Sequence, residues 1–201
     1  MEKYRKETKR IYEINAESYE CKTKHYLKDY LIGDAKLFAD NLSGGNILDI
    51  GCGPGRDMIF FDGMGLNVYG IDISNSMCRL SRSKGLRVVL GDLENLPFRE
   101  GHFNGVWAYT SLLHMPKDNF SIALDNIAGI LGDNGIFYIG MKEGNFEGWK
   151  EGKTIKGEKR FYSLYKDGEM RNLLSRNFKI LHFKGVDLGE DKYLNYLCRK
   201  N

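Results

Sequence analysis

Ile47-Leu48-Asp49-Ile50-Gly51-Cys52-Gly53-Pro54-Gly55-Arg56-Asp57 is the stretch that decides how this chain of 201 residues reads. Asn46 to Ile50 is short and largely apolar, as a buried central strand requires. Gly51, Gly53 and Gly55 then lack the Cβ atoms that would block a ligand, and they tolerate the positive φ angles of a sharp bend. A helix beginning near Arg56 would present its unpaired N–H groups to whatever lies above that bend. Taken alone, the glycines fit a tight strand-to-helix turn that binds nothing equally well. Their spacing also differs from the Gly-x-Gly-x-x-Gly of dinucleotide-binding turns, because position 56 is Arg.

Two further features fall where a doubly wound sheet would put them. Asn67 to Ile71 is a second apolar stretch, ending on Asp72, near the spacing at which an acidic residue meets ribose hydroxyls. Leu86 to Leu90 is a third, followed by Gly91, Asp92 and Leu93. Three successive strands thus deliver a carboxylate or a glycine turn at their carboxyl ends, the edge where open α/β sheets bind ligands. Each carboxylate has a rival reading: Asp72 or Asp92 as a helix cap or turn residue, Asp57 as a partner of the helix dipole.

In combination these pieces resemble the class I S-adenosylmethionine-dependent methyltransferases. The matching segments are Leu48 to Asp57, Gly70-Ile71-Asp72-Ile73-Ser74 with Met77, and Gly91-Asp92-Leu93 leading to Leu96-Pro97-Phe98. Phe103 to Pro116 is similar to the fourth strand and following loop of small-molecule-type members, and Tyr12 to Tyr19 to the helix that lies over the cofactor in many of them. The resemblance implies a Rossmann-like α/β fold: a seven-stranded sheet, mostly parallel with an antiparallel C-terminal strand, and helices on both faces. It also implies S-adenosyl-L-methionine as cofactor and S-adenosyl-L-homocysteine as product. By the same likeness, Asp49 and the backbone of Gly51 and Gly53 hold the methionine portion, with Cys52, Gly55 and Arg56 completing the turn, and Tyr19 covers that end. Asp72 takes both ribose hydroxyls, Asp92 and the Leu93 amide meet the adenine edge, and Ile73 and Met77 pack beside the adenosine. The main chain near Trp107 and Ala108 faces the ammonium group.

Composition fits one domain, residues 1–201, with a helical N-terminal cap at 1–42 and a loop over the site at 143–161. The chain is 42% hydrophobic and its net charge is only +3. Met1 to Arg10 holds five basic and two acidic residues, a surplus equal to the whole net charge, and reads as a solvated tail with nucleic-acid contact as the minor alternative. The N-terminus lacks the apolar core of a signal peptide and no run of 18 apolar residues occurs, so the expectation is a cytoplasmic protein without membrane contact. Cys21, Cys52, Cys78 and Cys198 are scattered, which supports neither a metal site nor a disulfide framework.

Periodicity places two helices before the first strand, the second over roughly Tyr26 to Asn41 with Leu27, Leu31 and Phe38 near one face. A stripe from Phe120 to Leu131 predicts a helix packed on the sheet, and Ile136 to Met141 a fifth strand. Glu143 to Arg160 has four glycines, mixed charges and no apolar period, and reads as a long loop or flexible hairpin over the site. A helix near Asp167 to Arg176 and two strands, Phe178 to Gly185 and Lys192 to Arg199, complete the chain.

A sulfonium methyl is already electrophilic, so such a site must mainly hold the acceptor in line and exclude water. His114 follows the fourth strand, where an imidazole could take a proton from a hydroxyl, amine or thiol, or could simply be a structural hydrogen-bonder. Tyr12, Arg160, Tyr162 and Tyr165 are candidates to bind an anionic or aromatic acceptor. The favoured reading is methyl transfer to a small molecule. The alternatives are an RNA or protein methyltransferase, which the basic tail could serve, and a nicotinamide-dependent oxidoreductase, which the glycine spacing disfavours.

Overall fold

The computed structural model describes residues 1–201. Two helices lead, α1 (Lys3–Thr23) and α2 (Ile32–Asp40), joined by a π-helical turn at Leu27–Leu31. The second predicted helix is thus present but changes its winding at Leu27 and Leu31, both buried. Then follow β1 (Asn46–Ile50), α3 (Arg56–Gly63), β2 (Asn67–Asp72), α4 (Asn75–Arg82), β3 (Arg87–Leu90), β4 (Phe103–Tyr109), α5 (Lys117–Ile130) and β5 (Leu131–Lys142). A hairpin of β6 (Phe146–Glu151) and β7 (Lys159–Leu164), helix α6 (Asp167–Leu174), β8 (Phe178–Leu188) and β9 (Asp191–Lys200) end the chain.

Seven strands form one sheet in the order β3-β2-β1-β4-β5-β9-β8. Strands β1 to β5 pair in parallel, β9 runs antiparallel to β5, and β8 pairs antiparallel with β9. This is the expected Rossmann-like sheet, mostly parallel with one antiparallel strand near its end. Strand order reverses between β1 and β4, which opens a crevice at their carboxyl ends.

Successive residues of a strand face opposite sides, so the sheet carries two cores. Leu48, Val106, Phe137 and Ile139 pack with Phe120, Leu124 and Ile127 of α5. Their neighbours Ile47, Trp107, Ile136 and Tyr138 pack with Phe38 of α2 and Phe61 of α3. There the Trp107 ring stacks on Tyr138 at 3.9 Å and meets Phe38 and Phe61 edge-on. No helix is long and apolar enough to cross a membrane.

Two expectations need correction. The basic N-terminus is no solvated tail: helix α1 starts at Lys3 and buries Tyr4 and Thr8, while Arg5 and Arg10 sit in ion pairs. Of the two readings given for residues 143–161, the hairpin is the one present and the plain loop is not: β6 and β7 are registered from Phe146 opposite Leu164 to Glu151 opposite Lys159. Its sequence left the strand bounds and register open because burial along β6 does not alternate.

Candidate active site

The glycine turn at the tip of β1 is shaped by what stands around it. Gly51 has φ 70°, and a Cβ there would lie 2.4 Å from Cβ of Ser111, so bare backbone is needed for the β4 loop to pass. Gly53, with φ 52°, faces open space except for Tyr19 at 4.0 Å. Its N–H donates to Oδ2 of Asp72 at 2.9 Å, and the Ser74 N–H donates to Oδ1 at 2.8 Å. One carboxylate therefore fastens the turn after β1 to the start of α4. Burial pushes Asp72 up to about 6, although both amides favour its charge.

Above this turn lies a cavity with about 770 Å³ of empty space, open solvent at its mouth included. Its floor contains Gly51, Gly53, Asp72 and Asp92, and its sides Ile73, Met77 and Leu93. Helix α1 forms the roof with Tyr4, Thr8, Tyr12 and Tyr19, spaced so that one helical face looks down. Arg5 reaches from that roof to Asp92 at 3.1 Å and also pairs with Glu94. Glu13 holds the Ser74 hydroxyl at 2.7 Å and the Ser76 N–H at 3.1 Å, latching the roof onto α4.

A smaller chamber beside the turn, of about 350 Å³, is lined by Asp49, Cys52, Arg56 and Asp57. Burial, then the neighbouring Asp57, pushes the Asp49 carboxyl well above the usual range, and Arg56 offsets only part of that. Asp57 is held by Arg56 at 2.5 Å and by the Trp107 indole N–H at 3.0 Å. It is therefore a buried anchor between α3 and β4, beyond any role at the helix dipole. Burial likewise raises the Cys52 thiol, which leaves it protonated and inert.

The third chamber lies on the hairpin side, with about 1120 Å³ of space including open solvent. Here the structure joins Tyr12, His114, Arg160 and Tyr162. His114 Nδ1 lies 2.8 Å from the Phe161 carbonyl oxygen, which can only accept, so Nδ1 carries the proton. Nε2 then accepts from the Tyr12 hydroxyl at 2.9 Å, and that hydroxyl accepts from Arg160. Burial, and next the Arg160 charge, push His114 down to about 3. At neutral pH it is an uncharged hydrogen-bond acceptor whose lone pair is already occupied, and this geometry does not make it a free general base.

Tyr19, Tyr109 and Thr110 line all three chambers, and Tyr12 and His114 line two. Thr110 adopts φ 56°, a left-handed conformation that a β-branched residue takes only under constraint. Strain is thus stored where the chambers meet.

Several expected site residues lie elsewhere. Trp107 and Ala108 are fully buried in the two cores, and the chain reaches the cavities one to three residues later, at Tyr109, Thr110 and Ser111. Gly55 caps α3 at φ 84° and faces Leu86 and Ser81, away from the cavities. Tyr165 packs on Phe120 in the core. Conversely, Tyr4, Arg5, Thr8, Glu94 and Ser111 border the main cavity unforeseen. The four-residue spacing of Tyr4, Thr8 and Tyr12 was the readable signal for the roof.

Residues 47–135 match the methyltransferase domain family. Among curated proteins, an O-methyltransferase of Aspergillus nomiae is 31% identical over 100 residues, covering 45% of this chain and 44% of its own. A methyltransferase structure from Methanosarcina mazei superposes with TM-score 0.73 at 18% identity, over 82% of this chain and 96% of its own. Over residues 47–135 the chain is similar to methyltransferase domains. The 1,6-didemethyltoxoflavin N1-methyltransferase of Burkholderia thailandensis, with acceptor and S-adenosylhomocysteine bound, shares the fold at TM-score 0.66 and 21% identity, over 94% of this chain and 88% of its own. The chain spans less than half the length of the curated relatives first matched.

Proposed function

We propose that this protein is an S-adenosyl-L-methionine-dependent methyltransferase that methylates a small molecule by in-line displacement, working in the cytoplasm. The observation that carries the reading is the set of acidic tips Asp49, Asp72 and Asp92 on three neighbouring parallel strands, placed around one bare glycine turn beside a second, separate chamber.

The residues present fit the cofactor. A side chain at Gly53 would project into the cavity, so this position is a cradle that any Cβ would fill. Each Asp72 oxygen spends one acceptor direction on an amide and keeps another, which suits two ribose hydroxyls. Asp92, with Ile73, Met77 and Leu93 beside it, offers a polar edge on an apolar slot, as an adenine requires. Asp49, costly to ionise while buried, gains its counter-charge from an ammonium group. Tyr19 closes the methionine end.

When bound, the cofactor supplies an electrophilic methyl group. The protein's part is then positional: Tyr19, Tyr109 and Thr110 form the wall between donor and acceptor chambers, and α1 excludes water from above. The bounded acceptor chamber, roofed by α1 and the hairpin, supports a small-molecule acceptor over RNA or protein. Four free cysteines accord with a reducing compartment.

Calorimetry on the purified protein tests the reading. Saturable heat with both S-adenosylmethionine and S-adenosylhomocysteine is expected, and the absence of heat with either compound overturns it.

A further inference from the structure

Arg160 is 3% exposed, yet it has no ionic partner. It makes a single side-chain hydrogen bond, to Tyr12, and its Nε has no partner at all. A guanidinium taken out of water is strongly disfavoured unless an anion compensates it. Of the other cations of this chamber, Lys142 and Lys153 lie 2.9 and 3.4 Å from Asp191, Arg56 lies on Asp57, and Lys22 is exposed to solvent and donates to the Thr154 carbonyl at 3.0 Å. Arg160 is the buried cation of the chamber that has no anion beside it.

Its surroundings describe that visitor. The Tyr12 and Tyr162 rings flank the guanidinium at 5.1 and 5.4 Å, and Tyr26, Tyr109 and Tyr193 complete an aromatic wall. A planar fork of donors between rings suits a flat, bidentate oxyanion. Tyr12, the hydrogen-bond partner of Arg160, also lines the donor cavity, so a charge held here lies beside the shared wall. The neighbouring imidazole accepts from Tyr12 and so has no lone pair free to remove a proton.

Resting on the methyl-transfer reading above, we propose that this chamber takes an aromatic oxyanion, an aryl carboxylate or an acidic phenol, with its charge on Arg160, and that this oxygen accepts the methyl group. The acceptor arrives ionised. The new bond joins its oxygen to the methyl carbon, the sulfur–methyl bond breaks, and that electron pair stays on sulfur. The nucleophile carries no proton to be removed, which is why a site without a free base can serve.

The test is calorimetry on protein saturated with S-adenosylhomocysteine, using benzoate and 4-nitrophenolate as probes, with methyl benzoate and benzylamine as neutral and cationic controls. Both anions are expected to bind and both controls to fail. Arg160→Gln is expected to weaken anion binding by about tenfold or more, and Arg160→Lys by less, with S-adenosylhomocysteine affinity unchanged as the check on folding. Anion binding that is no tighter than that of the controls, or that survives Arg160→Gln intact, overturns the proposal. With labelled methyl donor, a methyl ester from benzoate identifies the carboxylate class and an ether from nitrophenolate the phenol class. Binding of both anions with transfer to neither refutes the oxygen as acceptor. A protein that binds the anions through Arg160 but not S-adenosylhomocysteine refutes methyl transfer instead, so the two failures are distinct.

Discussion

Acidification should cost this protein stability that a His114→Gln variant keeps. In the folded state His114 is held neutral, pushed down to about 3 by burial and by Arg160. In the unfolded chain it titrates at about 6.5. Because the folded pKa is the lower one, the unfolded state takes up a proton first, and stability falls as pH drops from about 6.5 towards 3. Between about pH 7.5 and pH 5, protonation of the unfolded imidazole alone lowers the unfolding free energy by about 2 kcal/mol. That figure barely depends on the folded value, provided the folded imidazole stays neutral at pH 5. Other groups act in this range too: Asp72, raised to about 6, stabilises the fold as it takes up its proton, which is the opposite sign. The difference between wild type and His114→Gln cancels those contributions, since Gln does not titrate. Urea unfolding of both proteins at the two pH values reads it directly. An equal pH dependence in wild type and variant would refute the buried, neutral histidine, and with it the hydrogen-bond chain from Arg160 through Tyr12 to the Phe161 carbonyl.

Asp72→Ala should weaken binding of S-adenosylhomocysteine by about 1–3 kcal/mol, because two ligand hydroxyls and the Gly53 and Ser74 amides lose their acceptor. Unchanged affinity in calorimetry, with a native circular dichroism spectrum, would remove Asp72 from the cofactor site. Gly51→Ala and Gly53→Ala should separate packing from binding. Both positions have positive φ, but only at Gly51 does the new methyl strike Ser111, so thermal unfolding should show the larger loss there. At Gly53 the methyl enters the cavity, and ligand affinity should fall more than stability. The reverse ranking would mean that the turn has been misread.

The sheet was legible because its central strands β1 and β4 are buried on both faces and its first three strands appear as apolar runs closed by Gly or Asp. Asp72 and Asp92 could be picked out because each ends such a run. The hairpin could be read only as an alternative to a loop and without a register, since Glu147, Trp149 and Lys150 leave no alternation to read. The side chains of Trp107 and Ala108 stay buried, and strand β4 surfaces next to them at Tyr109, a boundary that its apolar run does not mark. The ties of α1 lay beyond local pattern altogether. Arg5 meets Glu94 across 89 positions and Arg160 meets Tyr12 across 148, separations that no periodicity encodes.

Those same separations bear on the order in which the molecule assembles. Helix α1 precedes in the chain every group that it clasps, yet Asp92, Glu94, Ser74 and Arg160 reach their positions only when sheet and hairpin exist. Closing such long segments is entropically unfavourable until the framework between them has condensed. Helix α1 can therefore dock only after the sheet and hairpin it clasps have formed, and the crevice exists before the cover that dries it.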